Sequence, residues 1–481
     1  MLNLMGALDM ASRSMQTQMT GVDVTGQNLA NVNTQGYSRQ TVDIQTSPDI
    51  QTSIGSIGTG ANAVAVQQAV NNLLNSQIVT QQSSGGYWTA QQSALQSAQT
   101  SLNEFLNGTG STSSSSSATS TSDTGLSGQL TGLFNDFQAV ATSPTSISAR
   151  QALISQAQTL ASTFNQIDSQ LSATRTSLNT SLNNDVTSAN NLLSGIAQLN
   201  GQIATAEFSG GTPNDLLDQR QQDLQNLAQL TNIQTSTQTN GAVDVSIGGQ
   251  TLVSGTQVTD SLQTYDASAS GNGQLLVQTK TGGVDLTLTG GSMQGTIDAR
   301  DGELATMQGN INNLASNLIV GINSNGQGGY NGGYSLTGST GANFFNGTDA
   351  SNIAVEPTLV NDPSLLQASG SATATGDNTV ALKLAGLATS TQAGLNGQTF
   401  GDYYTATVAN LGDALQTANT QVTNQTAVSN MLANQQSSVS GVNIDQEMTN
   451  LMGFQRAYEA SAQLVNTINQ MMVTINNMKT A

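Results

Sequence analysis

The chain has 481 residues, enough for two to four domains each with its own core. Only 8% of residues are charged, against roughly 25% in an ordinary soluble protein, and ten Lys and Arg against 29 Asp and Glu give a formal charge of −19. With no basic cluster, no Cys and no His, the sequence excludes counterion-release binding to nucleic acid, attraction to anionic lipid, thiol nucleophiles, disulfides and the usual zinc centres.

Met1-Leu2-Asn3-Leu4 lacks the basic and apolar regions of a secretory signal, and no apolar run approaches the ~20 residues of a membrane span. Any exit from the cell is therefore expected to avoid a cleaved signal, without membrane insertion. Leu8, Met15, Val22 and Leu29 then recur every seven residues, with Leu4 and Ala11 beside them. That spacing draws one apolar seam along a helix that requires a partner helix. Asn31-Val32-Asn33-Thr34-Gln35-Gly36 ends the helix, and an extended stretch follows over residues 37–44.

A long helix is expected over 64–106, interrupted near Gly85-Gly86, and residues 111–123, nearly all Ser and Thr, read as an exposed loop. Helical spacing resumes at Leu126 and runs over 148–207 after Pro144. Pro213 stands as the first residue of a helix over 214–230. From residue 233 to 288 the period changes from 3.6 to 2. Val243, Val245 and Ile247 alternate before a Gly248-Gly249 hairpin, and Leu275-Leu276-Val277 is expected to pair across Gly282-Gly283 with Val284, Leu286 and Leu288. Helix returns over 298–323 with Leu304, Ile311, Leu314 and Leu318 on one face, and again over 380–387 and 403–438, beyond a Gly-rich stretch. At the far end Ile444, Leu451, Tyr458, Val465 and Met472 repeat the seven-residue step, flanked by Phe454, Ile468 and Ile475.

The expected organisation is mainly α with a small inserted β domain. Residues 1–61 form the first coiled-coil helix with its turn and extended segment, and 62–231 the outgoing half of a helical domain. The β domain is 232–294, the return half 295–440 carries a Gly-rich loop at 325–349, and 441–481 is the second coiled-coil helix. Two matched seams at opposite ends are the pattern of termini that pack together; the alternative is a pair of ordinary amphipathic helices on a globular core.

No catalytic constellation emerges, and no cofactor or metal is expected. Asp215 and Asp218 lie three apart on a helix, but Asn214 and Arg220 make capping and dipole compensation the simpler reading. Asp260, Asp266 and Asp285 lack the spacing of a calcium loop, and the Gly-rich stretch lacks the Lys-Ser or Lys-Thr of a phosphate loop.

Asn28-Leu29-Ala30-Asn31-Val32-Asn33-Thr34-Gln35-Gly36-Tyr37-Ser38-Arg39-Gln40 resembles the N-terminal motif of flagellar rod, hook and hook-associated proteins. Its Gly-Tyr-Ser-Arg-Gln ending is similar to the first hook–filament junction proteins. So are Ala149-Arg150-Gln151-Ala152-Leu153-Ile154, the segment from Pro213 to Arg220, and the run from Ser438 to Glu447 with Phe454-Gln455-Arg456-Ala457-Tyr458. The resemblance implies a non-enzymatic structural subunit, extracellular in the assembled flagellum. Terminal helices would lie innermost, the long-helix domain next and β material outermost. It implies a ring of identical subunits at the hook tip, contacting the hook protein and a second junction protein. It also implies type III export in an unfolded form, with a chaperone on the C-terminal helix. The assembly residues expected on this reading are Leu8, Met15, Val22, Leu29, Ile444, Leu451, Tyr458, Val465 and Met472, with Arg39 and Tyr37 touching an adjacent subunit; the alternative for Tyr37 is local packing. The rival readings are another axial subunit (hook, distal rod or flagellin-like) and a surface adhesin or phage fibre.

Overall fold

The computed structural model describes residues 2–52, 55–102, 125–268, 273–324 and 329–480; the Ser/Thr-rich loop expected at 111–123 and the start of the Gly-rich loop lie outside them. Helix α1 (Leu2–Ala30) stops at a turn in which Thr34 N–H bonds to Asn31 O and Gly36 takes φ +82°. Strand β1 (Gln40–Thr46) pairs antiparallel with β4 (Ala61–Gln68), and β2 (Ile50–Thr52) and β3 (Gly55–Ile57) make a hairpin between them. The helix expected from residue 64 therefore starts later. Val64 and Val66 alternate as a strand does, and Asn71 Oδ1 accepts from the backbone of Leu73 and Leu74 to open α2 (Asn72–Leu102).

Helix α2 runs unbroken through Gly85-Gly86, contrary to the expected interruption. A Cβ at Gly86 would collide with the Gln229 carbonyl, so that glycine serves close approach of neighbouring helices, not a break. Helix α3 (Leu126–Thr142) and the 62-residue α4 (Ile147–Phe208) flank Pro144 as expected, with Ser146 capping α4 by accepting from Ala149 N–H. Pro213 lies just before α5 (Asn214–Leu230), where its missing N–H costs nothing.

Strands β5 (Ile233–Thr237), β6 (Val243–Ile247), β7 (Gln250–Ser254) and β8 (Gln257–Val258) form an antiparallel meander. Gly248 and Gly249, both at positive φ, make the tight turn between β6 and β7. The second expected pair forms as a short one, with Thr279 N–H bonding to Val284 O and Leu286 N–H to Val277 O, and its first strand has a further neighbour on its other edge. β10 (Leu275–Thr279) pairs along its length with β9 (Leu262–Asp266), and residues 284–288 contribute one bridge, Gln278 to Asp285. The Asn190 side chain on α4 holds both the N–H and the carbonyl of Leu262, which seats β9 on the core. Asp266 accepts backbone N–H groups of its own loop, and Asp260 accepts those of Ser261 and of Thr281 and Gly282 in the turn after β10, so both anchor turns.

Helix α6 (Gly291–Asp298) precedes the expected start at 298. It passes through a widened turn, Ala299–Glu303, into α7 (Leu304–Asn323). Short strands β11 (Phe345–Asn346) and β12 (Ala354–Val355) and helices α8 (Pro357–Asn361) and α9 (Thr379–Gly386) lead to α10 (Phe400–Ser440) and α11 (Ile444–Thr480).

Two apolar cores share α4. Its first half buries Leu153, Ile154, Leu160, Phe164 and Leu171 with α3, α7, α9 and the start of α10; its second half buries Leu182, Val186, Leu193 and Ile196 with α5, α6 and the strands. A 62-residue helix is roughly 93 Å long, so α4 works as a shared beam. Phe344 and Phe345, fully buried, and Tyr330 stack edge-on in the first core, so part of the Gly-rich stretch expected as loop is core. Arg150, 1% exposed, donates to the carbonyls of Pro144 and Leu366, tying α4 to that same region. From the first core α10 runs antiparallel to α2, bonding Gln92 to Asn419 and Gln81 to Gln425. The two helices also share a small cluster of Leu74, Ile78 and Leu432.

Candidate assembly site at the paired chain ends

Helices α1 and α11 pack antiparallel, and their contacts repeat every seven residues on both. Ser14 meets Ser461 (Oγ–Oγ 3.0 Å), Gly21 lies under the Phe454 ring, and Asn28 Nδ2 donates to Glu447 at 3.0 Å. The same step sets Ala7 opposite Ile468, which is buried, as is Ala11. The line of contact is thus one residue before the expected N-terminal seam. Leu8, Met15, Val22 and Leu29 are half-buried on its flank. On α11, Leu451, Val465 and Met472 are half-buried, while Tyr458 (37%) and Ile444 (50%) are exposed. Further apolar side chains face outward from the pair: Met5, Met19, Met448, Met452, Leu464, Met471, Ile475 and Met478 are all exposed.

Where the pair meets the body, three segments singled out in the sequence converge. Asn28 is the centre. Its Oδ1 accepts from the Tyr37 hydroxyl (2.9 Å) and the Gln40 N–H (2.8 Å), and its Nδ2 donates to the Gln40 carbonyl and Glu447. Arg39 Nε donates to Glu447 at 2.7 Å, and Arg39 N–H bonds to the Ser440 carbonyl that precedes α11. Ser38 gives both its N–H and its hydroxyl to Asp218, and Gln40 Nε2 donates to Asp215, both on the first turns of α5. Tyr37 and Arg39 are both bonded within the chain. Asp215 and Asp218 act chiefly as acceptors for the turn; Arg220 points away from them, to Asn200 and the Gly241 carbonyl.

The electrostatics follow from burial. The Tyr37 hydroxyl is pushed up to about 12 by burial first, then by Asp215, Asp218 and Glu447, so it stays a neutral donor. Burial raises the Asp218 carboxyl above its ordinary value, more than the two Ser38 bonds lower it. A carboxyl raised in the folded state contributes most stability below its ordinary value and loses that contribution as pH rises through the raised one. Asp218→Asn, which can still accept from Ser38 N–H, is expected to remove this part of the pH dependence. Melting series on both proteins from the ordinary carboxylate range to neutrality check it, and identical slopes would refute the assignment.

Among the described residues no group of three or more His, Cys, Asp or Glu is placed to hold a metal, and no helix is long and apolar enough to cross a membrane. The cleft beside the clasp, about 280 Å³, is lined largely by amides including Gln68, Gln222 and Gln436. Sequence reasoning named apolar rows and missed Asn28 and Glu447 as the polar centre of the pair. For Glu447 the available signal was its place on the seven-residue row of Phe454, Ile468 and Ile475, where a carboxylate needs a partner; Asn28 stands on a row of small residues that gave none.

The family model for the flagellar hook-associated protein FlgK helical domain matches residues 112–345, and that for the flagellar basal body rod FlgEFG protein C-terminal matches 426–478. The chain is 26% identical to flagellar hook-associated protein 1 of Bacillus subtilis, over 98% of this chain and 97% of that one. It is 25% identical to the protein of that name from Salmonella typhimurium, over 98% and 99%. The structure of the flagellar hook junction protein FlgK from Burkholderia pseudomallei has the same fold, with a TM-score of 0.61 at 21% identity over 76% of this chain and all of that one. The helical domain, the shared C-terminal helix and the end-to-end likeness agree: along nearly its whole length the chain is similar to flagellar hook-associated protein 1 (FlgK).

Proposed function

We propose that the chain is a structural subunit at the junction of the flagellar hook and filament, acting by assembly without catalysis. The supporting observation is that relatives named hook-associated protein 1 align over 97% or more of both chains. The match to the rod-family model is confined to 426–478. The rival axial-subunit reading therefore rests on one shared terminal segment.

The paired termini offer the surface such a role needs. Five of the 13 methionines lie in the first 20 residues and five after residue 447. Methionine is flexible and polarisable, and suits a face that must meet unlike neighbours. On this reading Leu8, Met15, Val22, Leu29, Leu451, Val465 and Met472 back the pair, while Ile444 and Tyr458 face neighbouring subunits in a ring. The hook protein lies on one side and the second junction protein on the other. A chaperone covers α11 until export through the type III apparatus, without a cleaved signal. Each large apolar side chain buried on assembly contributes about 1.5–3 kcal/mol, offsetting the entropy of ordering helices that lack neighbours beforehand.

Deletion of the gene is expected to leave hooks without filaments and to release flagellin into the medium, scored by electron microscopy and immunoblot. Absent hooks would move the chain to the rod or hook, and normal flagella would refute the flagellar role.

A further inference from the structure

Most of the line between α1 and α11 is permissive. Ser14 against Ser461 and small Ala7 against Ile468 tolerate a helix displaced by one heptad, roughly 10 Å. Two contacts do not. An added Cβ at Gly21 would lie 2.6 Å from Phe454 Cδ1, so the ring occupies space that only glycine leaves. Seven residues on, the Glu447 carboxylate, 2% exposed, takes one bond from Asn28 and one from Arg39.

The geometry points to Gly21–Phe454 and Asn28–Glu447 as two locks that set the register of the terminal helix pair. Displacement in one direction puts Phe454 against Ser14 and leaves Glu447 opposite Gly21, which has no donor side chain. Displacement in the other puts the Phe454 ring onto Asn28, among the polar bonds of the clasp. Either move buries a carboxylate or amide without partners, a heavier penalty than the seam beyond can offset. The bond from Arg39 N–H to the Ser440 carbonyl holds the start of α11 level with the clasp, so the locks act within its first three turns. Register matters because the outward apolar residues of both helices move with it. These are positioning residues: they decide the height at which the pair presents its outer face, whichever neighbours it meets.

The chain has no cysteine, so introduced pairs are unambiguous reporters. In the full-length protein, Ser14→Cys with Ser461→Cys reads the native register. Ala7→Cys with Ser461→Cys and Ser14→Cys with Ile468→Cys read the two displaced ones. Under mild oxidation the native pair is expected to cross-link on the order of tenfold more than either displaced pair, the scale of coupling between contacting residues. Gly21→Ala is expected to cut that ratio by a similar factor, and Gly21→Ala with Phe454→Ala to restore it. Glu447→Ala is expected to lower the ratio and Glu447→Gln to retain more of it, because the amide carbonyl of the substitute still accepts from Asn28. Fluorescence of Trp88, the single tryptophan, confirms that the body stays folded in each variant. Equal cross-linking of native and displaced pairs, no cross-link in any, or an unchanged ratio on Gly21→Ala would overturn the assignment.

Discussion

Asn200→Leu is expected to lower the unfolding free energy by at least about 3 kcal/mol, the largest loss anticipated from one substitution outside the apolar cores. Asn200 is fully buried on α4, and its single amide serves four partners. Nδ2 donates to the carbonyls of Val243 and Gly255, while Oδ1 accepts from Val243 N–H and from the Arg220 guanidinium. It thereby joins the long helix, α5 and the four-stranded sheet at one point. Leucine matches its size but satisfies none of them, and each unpaired buried group costs roughly 1–3 kcal/mol. Burial already holds the Arg220 pKa below its ordinary value, which marks how little water reaches that guanidinium. The loss should be local first. Hydrogen exchange is expected to speed at the amides of β6 and β7 while those of α7, in the other core, stay protected. A loss below about 1 kcal/mol in urea titration would mean that water replaces the amide there.

Val465→Asp is expected to abolish incorporation into the flagellum while leaving the body folded. Val465 is half-buried on α11 and, by the register of the pair, stands opposite Met10. A carboxylate there meets an apolar neighbour and lies on the same side as Asp9, which already pairs with Arg13. The new charge has no partner to compensate its desolvation. The two cores lie outside the α1–α11 pair, so urea unfolding followed at Trp88 should be unchanged. Flagella from cells carrying only this variant, probed by immunoblot after shearing, read incorporation directly. Normal incorporation would remove Val465 from the assembly seam.

Much of the architecture was legible in the sequence because it depends on near neighbours. The helices of the body announce themselves by 3.6-residue spacing, as in Leu153, Ala157, Leu160 and Phe164, and all four are buried. The β6–β7 hairpin followed from alternating Val and Ile around two glycines able to take positive φ. The repeated seven-residue step correctly announced two terminal helices that pair. What failed depended on distant partners. Gly85-Gly86 looked like a break because glycine is a poor helix former, yet the close approach of neighbouring helices outweighs roughly 1 kcal/mol of propensity per glycine. Residues 284–286 bond to one edge of β10, as adjacency suggested, but nothing local announced β9 on its other edge, seated there by Asn190 far upstream on α4. Tyr330, Phe344 and Phe345 stood among glycines and gave no period, though together they close a core.

The candidate site divides in the same way. Composition and periodicity by themselves determined that the chain ends are amphipathic helices in search of partners, and that acid–base, thiol and metal chemistry have few residues to use. Only the tertiary structure decided which heptad row makes the contact, since Leu8 and Ala7 differ by one position and a row of small residues carries no hydrophobic signal. Only it brought Asn28, Ser38, Arg39, Asp218 and Glu447 into one clasp. Local pattern reports which face of an element avoids water. It cannot report which distant polar groups will meet, because that depends on the distances set once the whole chain has folded.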